Sequence, residues 1–170
     1  MSRPIQGSAT RMMTAAGGPD KAQFLDALNW EARRTSAFTA LLNRAVAARL
    51  GINPTDLEIA GLISVTGPVT PGRLAELTGL ATGTITLVVD RLERASFARR
   101  VPDPADRRSV VIELMPGRAR EAAELFAPAR AAGNELAARY SDSELTLITG
   151  YLRLANDRLR DAAAALMRDR

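Results

Sequence analysis

The chain contains no cysteine and no histidine among its 170 residues. The first absence excludes disulfides, thiol redox sensing and cysteine-ligated metal. The second removes the commonest general base and the commonest transition-metal ligand. Carboxylate or Ser-Lys chemistry is what remains on the enzymatic side, and Lys21 is the only lysine. An enzyme is therefore not expected, and no catalytic residue, metal or cofactor is assigned. Long apolar runs are also missing: no stretch of 18 apolar residues occurs, and the N-terminus lacks the apolar segment of a signal peptide. The expectation is a soluble, cytoplasmic protein with no membrane partner.

What is present is a hydrophobic fraction of 46% with a mean hydropathy of −0.06, enough for a globular core. The net charge is +4, and all but one of the basic residues are arginine. An alanine- and arginine-rich composition can reflect genome base composition, so net charge alone does not single out nucleic acid as a partner. The positions of the arginines decide.

Residues 1–19 mix Gly, Ser, Pro, Thr and Met without periodicity, as in a disordered arm. Arg3 and Arg11 within it are read as part of a solvated tail, with phosphate contact as the alternative. From residue 20 to 50 the pattern is helical: Phe24 and Leu28 lie one turn apart, and Phe38, Leu41, Leu42, Ala45 and Val46 continue the spacing. Such a helix is about 45 Å long, and Gly51 stands where a closing glycine belongs. Asn53-Pro54 and Thr70-Pro71 each pair a capping side chain with a first-turn proline, predicting helices to about Thr66 and Thr78. Pro68-Val69-Thr70 reads as a short extended link. After Gly79 a fourth helix is expected from about Thr82 to Ser96, so the third and fourth form a helix-turn-helix.

Ala98–Val101 and Ser109–Leu114 are the strand candidates, with Val110, Ile112 and Leu114 alternating with polar or smaller neighbours and turn-forming Pro102-Asp103-Pro104-Ala105-Asp106 between the two. Pro116 opens a fifth helix predicted to reach Tyr140, with Pro128 bending it. Ser141-Asp142-Ser143-Glu144 is a capping box for a sixth. There Ile148, Leu152, Ala155, Leu159, Ala162 and Leu166 step by four and three, a heptad seam. The fifth helix repeats the steps from Ala122 to Tyr140. Together with the first helix this is more apolar stripe than a small domain can bury. A homodimer interface is preferred over an intrachain three-helix bundle.

The function-bearing stretch is 80–116. In a helix-turn-helix the second helix enters the major groove by its N-terminal end, and here that end carries Thr82, Thr84 and Thr86. Their hydroxyls and methyls suit base edges; the plainer alternative is an N-cap at Thr82 beside ordinary surface residues. Ile85, Val88, Val89 and Leu92 form the opposite, core-facing stripe. Arg91 and Arg94 follow on the same helix, and Arg99, Arg100, Arg107 and Arg108 lie at the base or tip of the hairpin. A tip arginine suits a narrow minor groove, with Asp106 as the acidic partner that orients the Arg108 guanidinium. With no histidine nearby, Asp103 and Asp106 are read as structural rather than as acid-base residues.

The sequence Asp106-Arg107-Arg108-Ser-Val-Val-Ile-Glu-Leu-Met-Pro-Gly, placed after a Val-Asp-Arg-Leu-Glu helix, resembles the wing of the MarR family of transcriptional regulators. The likeness extends in architecture over residues 20–168 and is motif-specific over 70–117. It implies a mainly α fold with a small β-hairpin wing: a winged helix-turn-helix (51–117) between a dimerisation helix (20–50) and C-terminal dimerisation helices (118–170). It further implies a homodimer on double-stranded DNA at a pseudo-palindromic operator, acting as a repressor released by a small aromatic or anionic effector. Matched by position, Thr82, Thr84 and Thr86 fall on the recognition helix, Arg108 at the wing tip and Asp106 at its acidic support; Arg91 and Arg107 complete the expected DNA-binding set. Three departures stand out. Gly83 and Leu87 replace residues more often polar or basic, and Ala95-Ser96 stands where Lys-Gly is common. Cysteine-based sensing is excluded.

Trp30 with Arg33, next to Arg34, is a candidate pocket for an aromatic anion, against the plainer reading of an interface tryptophan and solvated arginines. Gly83 and Leu87 also motivate a second hypothesis, a winged-helix protein-interaction module that no longer reads DNA.

Overall fold

The computed structural model describes residues 20–106 and 108–168. The expected N-terminal arm and Arg107 lie outside the described residues. The elements run α1 (Lys21–Leu50), α2 (Pro54–Thr66), α3 (Pro71–Thr78), α4 (Thr82–Arg94), β1 (Ala98–Pro102), β2 (Val110–Leu114), α5 (Pro116–Ala137) and α6 (Asp142–Arg168). The architecture is mainly helical with one antiparallel hairpin. None of the described helices is long and apolar enough to cross a membrane.

The chain divides into two compact units, one ending at Leu42 and the other beginning at Asn43. In the first, the part of α1 from Lys21 to Leu42 is solvent-exposed, including Phe24, Trp30 and Phe38. Arg33 stacks 5.8 Å from the Trp30 ring centre and Arg34 5.9 Å from that of Phe38, so these cations shield the apolar rings they sit beside.

The second unit holds the core. Val46, Ala47 and Leu50 from the end of α1 join Leu57, Ile59, Ala60 and Ile63 of α2, Leu74 of α3 and the inner stripe of α4, with Phe97 and Ile112 beneath the hairpin. The helices start where the sequence supplies caps. The Asn53 side chain accepts from the Asp56 amide at 2.9 Å and Thr70 from the Arg73 amide at 3.2 Å, each worth about 1 kcal/mol. Gly51 adopts φ 70° and closes α1, with the Ile52 amide donating to the Ala47 carbonyl at 3.1 Å.

In the hairpin Ala98 faces Leu114 and Pro102 faces Val110. The link before α3 does more than connect: Val69 exchanges two backbone hydrogen bonds with Ile112, at 3.1 and 2.8 Å, adding a one-residue rung to the sheet. Pro128 is accommodated inside α5, which runs unbroken and ends at Ala137 rather than Tyr140. Ala122 and Phe126 at the start of the α5 seam are half-buried against the core, whereas the later part of that seam and most of the α6 seam are exposed. Leu136, Tyr140, Leu152 and Leu159 are exposed, from 39% at Ile148 to 75% at Leu166.

At the start of α6 the capping box forms in full: the Ser141 amide donates to Glu144 Oε2 at 2.8 Å and the Glu144 amide to Ser141 Oγ at 3.3 Å. The backbone hydrogen bond from Ser141 holds the Glu144 carboxyl below its ordinary value of 4.5. A depressed carboxylate supports the fold above its unfolded pKa and ceases to as pH falls through the lower folded value. Acidification below 4.5 is therefore expected to release the Ser141 amide, seen as a titration of its chemical shift. Glu144→Gln is expected to abolish that titration.

Candidate nucleic-acid interface

A short helix, a turn and a second helix present the candidate surface. Gly79 ends α3 in the left-handed region (φ 66°), with its amide on the Ala75 carbonyl at 2.7 Å. After the turn, α4 buries Ile85, Val88, Val89 and Leu92, none more than 1% exposed, against Leu74 and the rest of the core. The periodicity that buries this stripe turns Thr82, Gly83, Thr84, Thr86 and Leu87 to solvent. Thr82 does not cap the helix. It is the first helical residue, and the capping position is Ala81, which offers no side-chain hydrogen bond. The Thr86 hydroxyl donates back to the Thr82 carbonyl at 3.0 Å.

The helix ends earlier than expected, at Arg94, in a Schellman turn: Phe97 donates to the Leu92 carbonyl at 2.8 Å and Ser96 to that of Glu93 at 2.9 Å. Buried Phe97 and Leu92 supply its usual apolar contact. Ser96 occupies the left-handed position at φ 56°, the one described non-glycine residue with positive φ. A side chain there costs about 1 kcal/mol. Ser96→Gly is thus expected to raise the thermal midpoint by about 2–4 °C, measured by calorimetry, with the helix-to-wing geometry unchanged.

Most of the nearby arginines turn out to be structural. The guanidinium of Arg91, a residue expected at DNA, grips the carboxylate of Asp56 on α2, Nη2 to Oδ1 at 2.6 Å and Nε to Oδ2 at 3.0 Å. Asp56 is 3% exposed. The hydrogen bond to Asp56 raises the Arg91 pKa above its ordinary value, with burial opposing. Arg99 pairs across the hairpin with Glu113, 2.6 Å from its Nε, as the Arg99–Glu113 register requires. Arg100 on β1 reaches back to α4, with Nη2 on Asp90 at 2.8 Å, Nη1 on Glu93 and its amide on Glu93 Oε1 at 2.8 Å. Arg94 Nε donates to the Asp90 carbonyl at 3.1 Å.

At the wing tip, Asp106 supports Arg108 differently from the expectation. Its carboxylate accepts from the Arg108 backbone amide at 3.0 Å, not from the guanidinium. The Asp106 carbonyl takes the Ser109 amide at 2.9 Å, and Asp103 Oδ2 takes the Ser109 hydroxyl at 3.2 Å. These short side chains bend the tip by Asx-type turns and leave the Arg108 side chain exposed. Sequence reasoning missed Asp56, Asp90, Glu93 and Glu113 as partners. Asp56 carried a signal: unlike Glu58, it shares a helical face with Ile59, Ala60 and Ile63 at i+3, i+4 and i+7, and a buried carboxylate requires a cation.

Trp30 and Arg33 lie on the exposed part of α1 in the first unit. The second unit has a recess of about 450 Å³, lined by Leu57, Ala60, Phe97, Leu114, Phe126 and Arg130 among others. Among the described residues, no group of His, Cys, Asp and Glu side chains is arranged to hold a metal.

Helix, turn, helix and a hairpin clamped to the second helix define a winged helix-turn-helix. The MarR family profile matches residues 52–110, from just before α2 into β2. The HTH-type transcriptional regulator YcgE of Bacillus subtilis (strain 168) is 39% identical over 125 residues, 74% of this chain and 81% of that protein. The chain belongs to the MarR family of transcriptional regulators. A MarR family protein from Bacillus stearothermophilus superposes with a TM-score of 0.62 at 23% identity, covering 83% of this chain and 99% of that one. A mutant MarR from E. coli complexed with operator DNA gives 0.51 at 20% identity, covering 81% and 99%.

Proposed function

We propose that this protein is a homodimeric, sequence-specific DNA-binding regulator that acts in the cytoplasm as a repressor released by a small ligand. The observation that carries the reading is the exposed N-terminal half of α4, with Thr82, Thr84 and Thr86, beside a wing whose Arg108 projects freely. The threonines serve the major groove and Arg108 the minor groove or the phosphates flanking it; Arg107 belongs to the same basic tip by sequence. Arg91 supports the helix through Asp56 rather than touching DNA. The MarR complexed with operator DNA shares the fold, which supports the docking mode.

The uncovered apolar faces of α1, α5 and α6 support a dimer assembled from the chain's first and last helices, with two α4 helices about 34–36 Å apart on a pseudo-palindrome of about 16–20 base pairs. The recess beside Phe97 and Phe126, with Arg130 at its wall, has the size and lining for a small aromatic anion. It supports an effector site there in place of Trp30 and Arg33.

Selection of bound duplexes from a random pool tests the reading. A recurring inverted repeat, bound with an affinity that falls steeply with salt, is the expected result. Salt-insensitive or absent duplex binding overturns it and favours the protein-interaction module. Sedimentation of the free protein tests the dimer, and thermal shifts with small aromatic carboxylates test the effector.

A further inference from the structure

The outer face of α4 is unusually poor in hydrogen-bonding side chains for a surface meant to read bases. At about 100° per residue, the centre of the face opposite Ile85, Val89 and Leu92 is occupied by Gly83 and Leu87. Leu87 is 59% exposed, so the core does not explain a leucine there. A Cβ at Gly83 would meet nothing within 4 Å, and its φ is not positive, so the fold does not require glycine either. Long helical side chains lean toward the N-terminus, which lays Leu87 toward the open space over Gly83.

The side chains that read guanine or adenine in bidentate fashion are Arg, Lys, Asn and Gln, and none occurs between Thr82 and Leu87. Thr86 turns its hydroxyl proton onto the Thr82 carbonyl. Farther along, Arg91 is held by Asp56 and Arg94 by the Asp90 carbonyl. What the first two turns offer outward is a leucine, a gap, threonine methyls and the hydroxyls of Thr82 and Thr84, none of which reads a purine in bidentate fashion. The one apolar group on the major-groove edges of the four bases is the C5-methyl of thymine.

We propose that Leu87, seated over Gly83 and flanked by Thr84, is the specificity-determining residue of the recognition helix and selects half-sites by contact with thymine C5-methyl groups. The proposal rests on the DNA-binding reading above.

The test takes the duplex chosen by random-pool selection and replaces its thymines one at a time with deoxyuridine, which removes only the methyl. Burial of one methyl predicts that at least one position in each half-site weakens wild-type binding by about three- to fivefold. The same replacement is expected to be silent in Leu87→Ala, whose melting temperature should match wild type because the side chain is exposed. Duplexes in which every deoxyuridine replacement is neutral overturn the proposal while leaving DNA binding intact. A methyl penalty undiminished in Leu87→Ala overturns the assignment to Leu87. Absence of any salt-sensitive duplex binding by wild type overturns both this proposal and the reading it rests on.

Discussion

Arg108→Ala is expected to weaken operator binding at least thirtyfold while leaving the fold intact. The side chain is exposed, and among the described residues no carboxylate pairs with its guanidinium; Asp106 holds only its amide. Its removal therefore costs the protein itself no more than about 0.5 kcal/mol. At DNA the loss is larger. An arginine contact is worth about 1–3 kcal/mol, and the proposed dimer loses it twice. The salt dependence separates this from misfolding, because two fewer neutralised phosphates lower the slope of log affinity against log salt by about two. Gel shifts across a salt series measure both quantities. Arg99→Ala is the informative contrast: it removes the same charge from the same hairpin, but from a side chain already paired with Glu113, and should cost far less. Unchanged affinity in Arg108→Ala would remove the wing from the interface.

The contrast between Arg108 and Arg99 also marks how far the sequence can be read. Features set by neighbours in the chain were legible: the caps at Asn53, Thr70 and Ser141, the glycine after α1, and the stripe Ile85, Val88, Val89 and Leu92, whose burial follows from a 3.6-residue period alone. The basic cluster was legible as a cluster. Which arginines in it are engaged was not, because each partner is chosen by tertiary approach. Asp56 meets Arg91 across 35 positions, and Arg100 finds Asp90 and Glu93 only once the chain has turned at Ser96 and folded β1 back along α4. The same holds at the wing. Asp106 two residues before Arg108 suggests a carboxylate–guanidinium pair, but so short a side chain in a tight turn meets the backbone amide first. A dense arginine segment thus resolves into clamps that hold α4 and the hairpin in place, and an exposed arginine at the tip.

Arg91→Leu is expected to destabilise the protein by about 3 kcal/mol, a fall of about 6–12 °C in thermal midpoint. Asp56 is 3% exposed, and its carboxylate oxygens receive their hydrogen bonds from Arg91. Removing the cation leaves a buried charge unpaired, for which about 3–5 kcal/mol is usual. The low end applies because the Arg91 side chain is 38% exposed, so water can enter beside the vacated carboxylate. The reverse substitution is not equivalent. Asp56→Asn keeps the shape and an acceptor, and leaves an arginine whose outer edge is already solvated, so about 1 kcal/mol is expected. The double variant should then be more stable than Arg91→Leu alone, since a neutral amide tolerates the loss of its partner better than a carboxylate does. Additive losses would show that the pair is not coupled. The consequence reaches function through geometry, because Arg91 ties α4 to the start of α2 and with it the angle at which Thr84 and Leu87 are presented. Asp56→Asn, still folded, is therefore expected to lose discrimination between operator and random duplex while its salt slope, set by the untouched wing arginine, stays as in wild type.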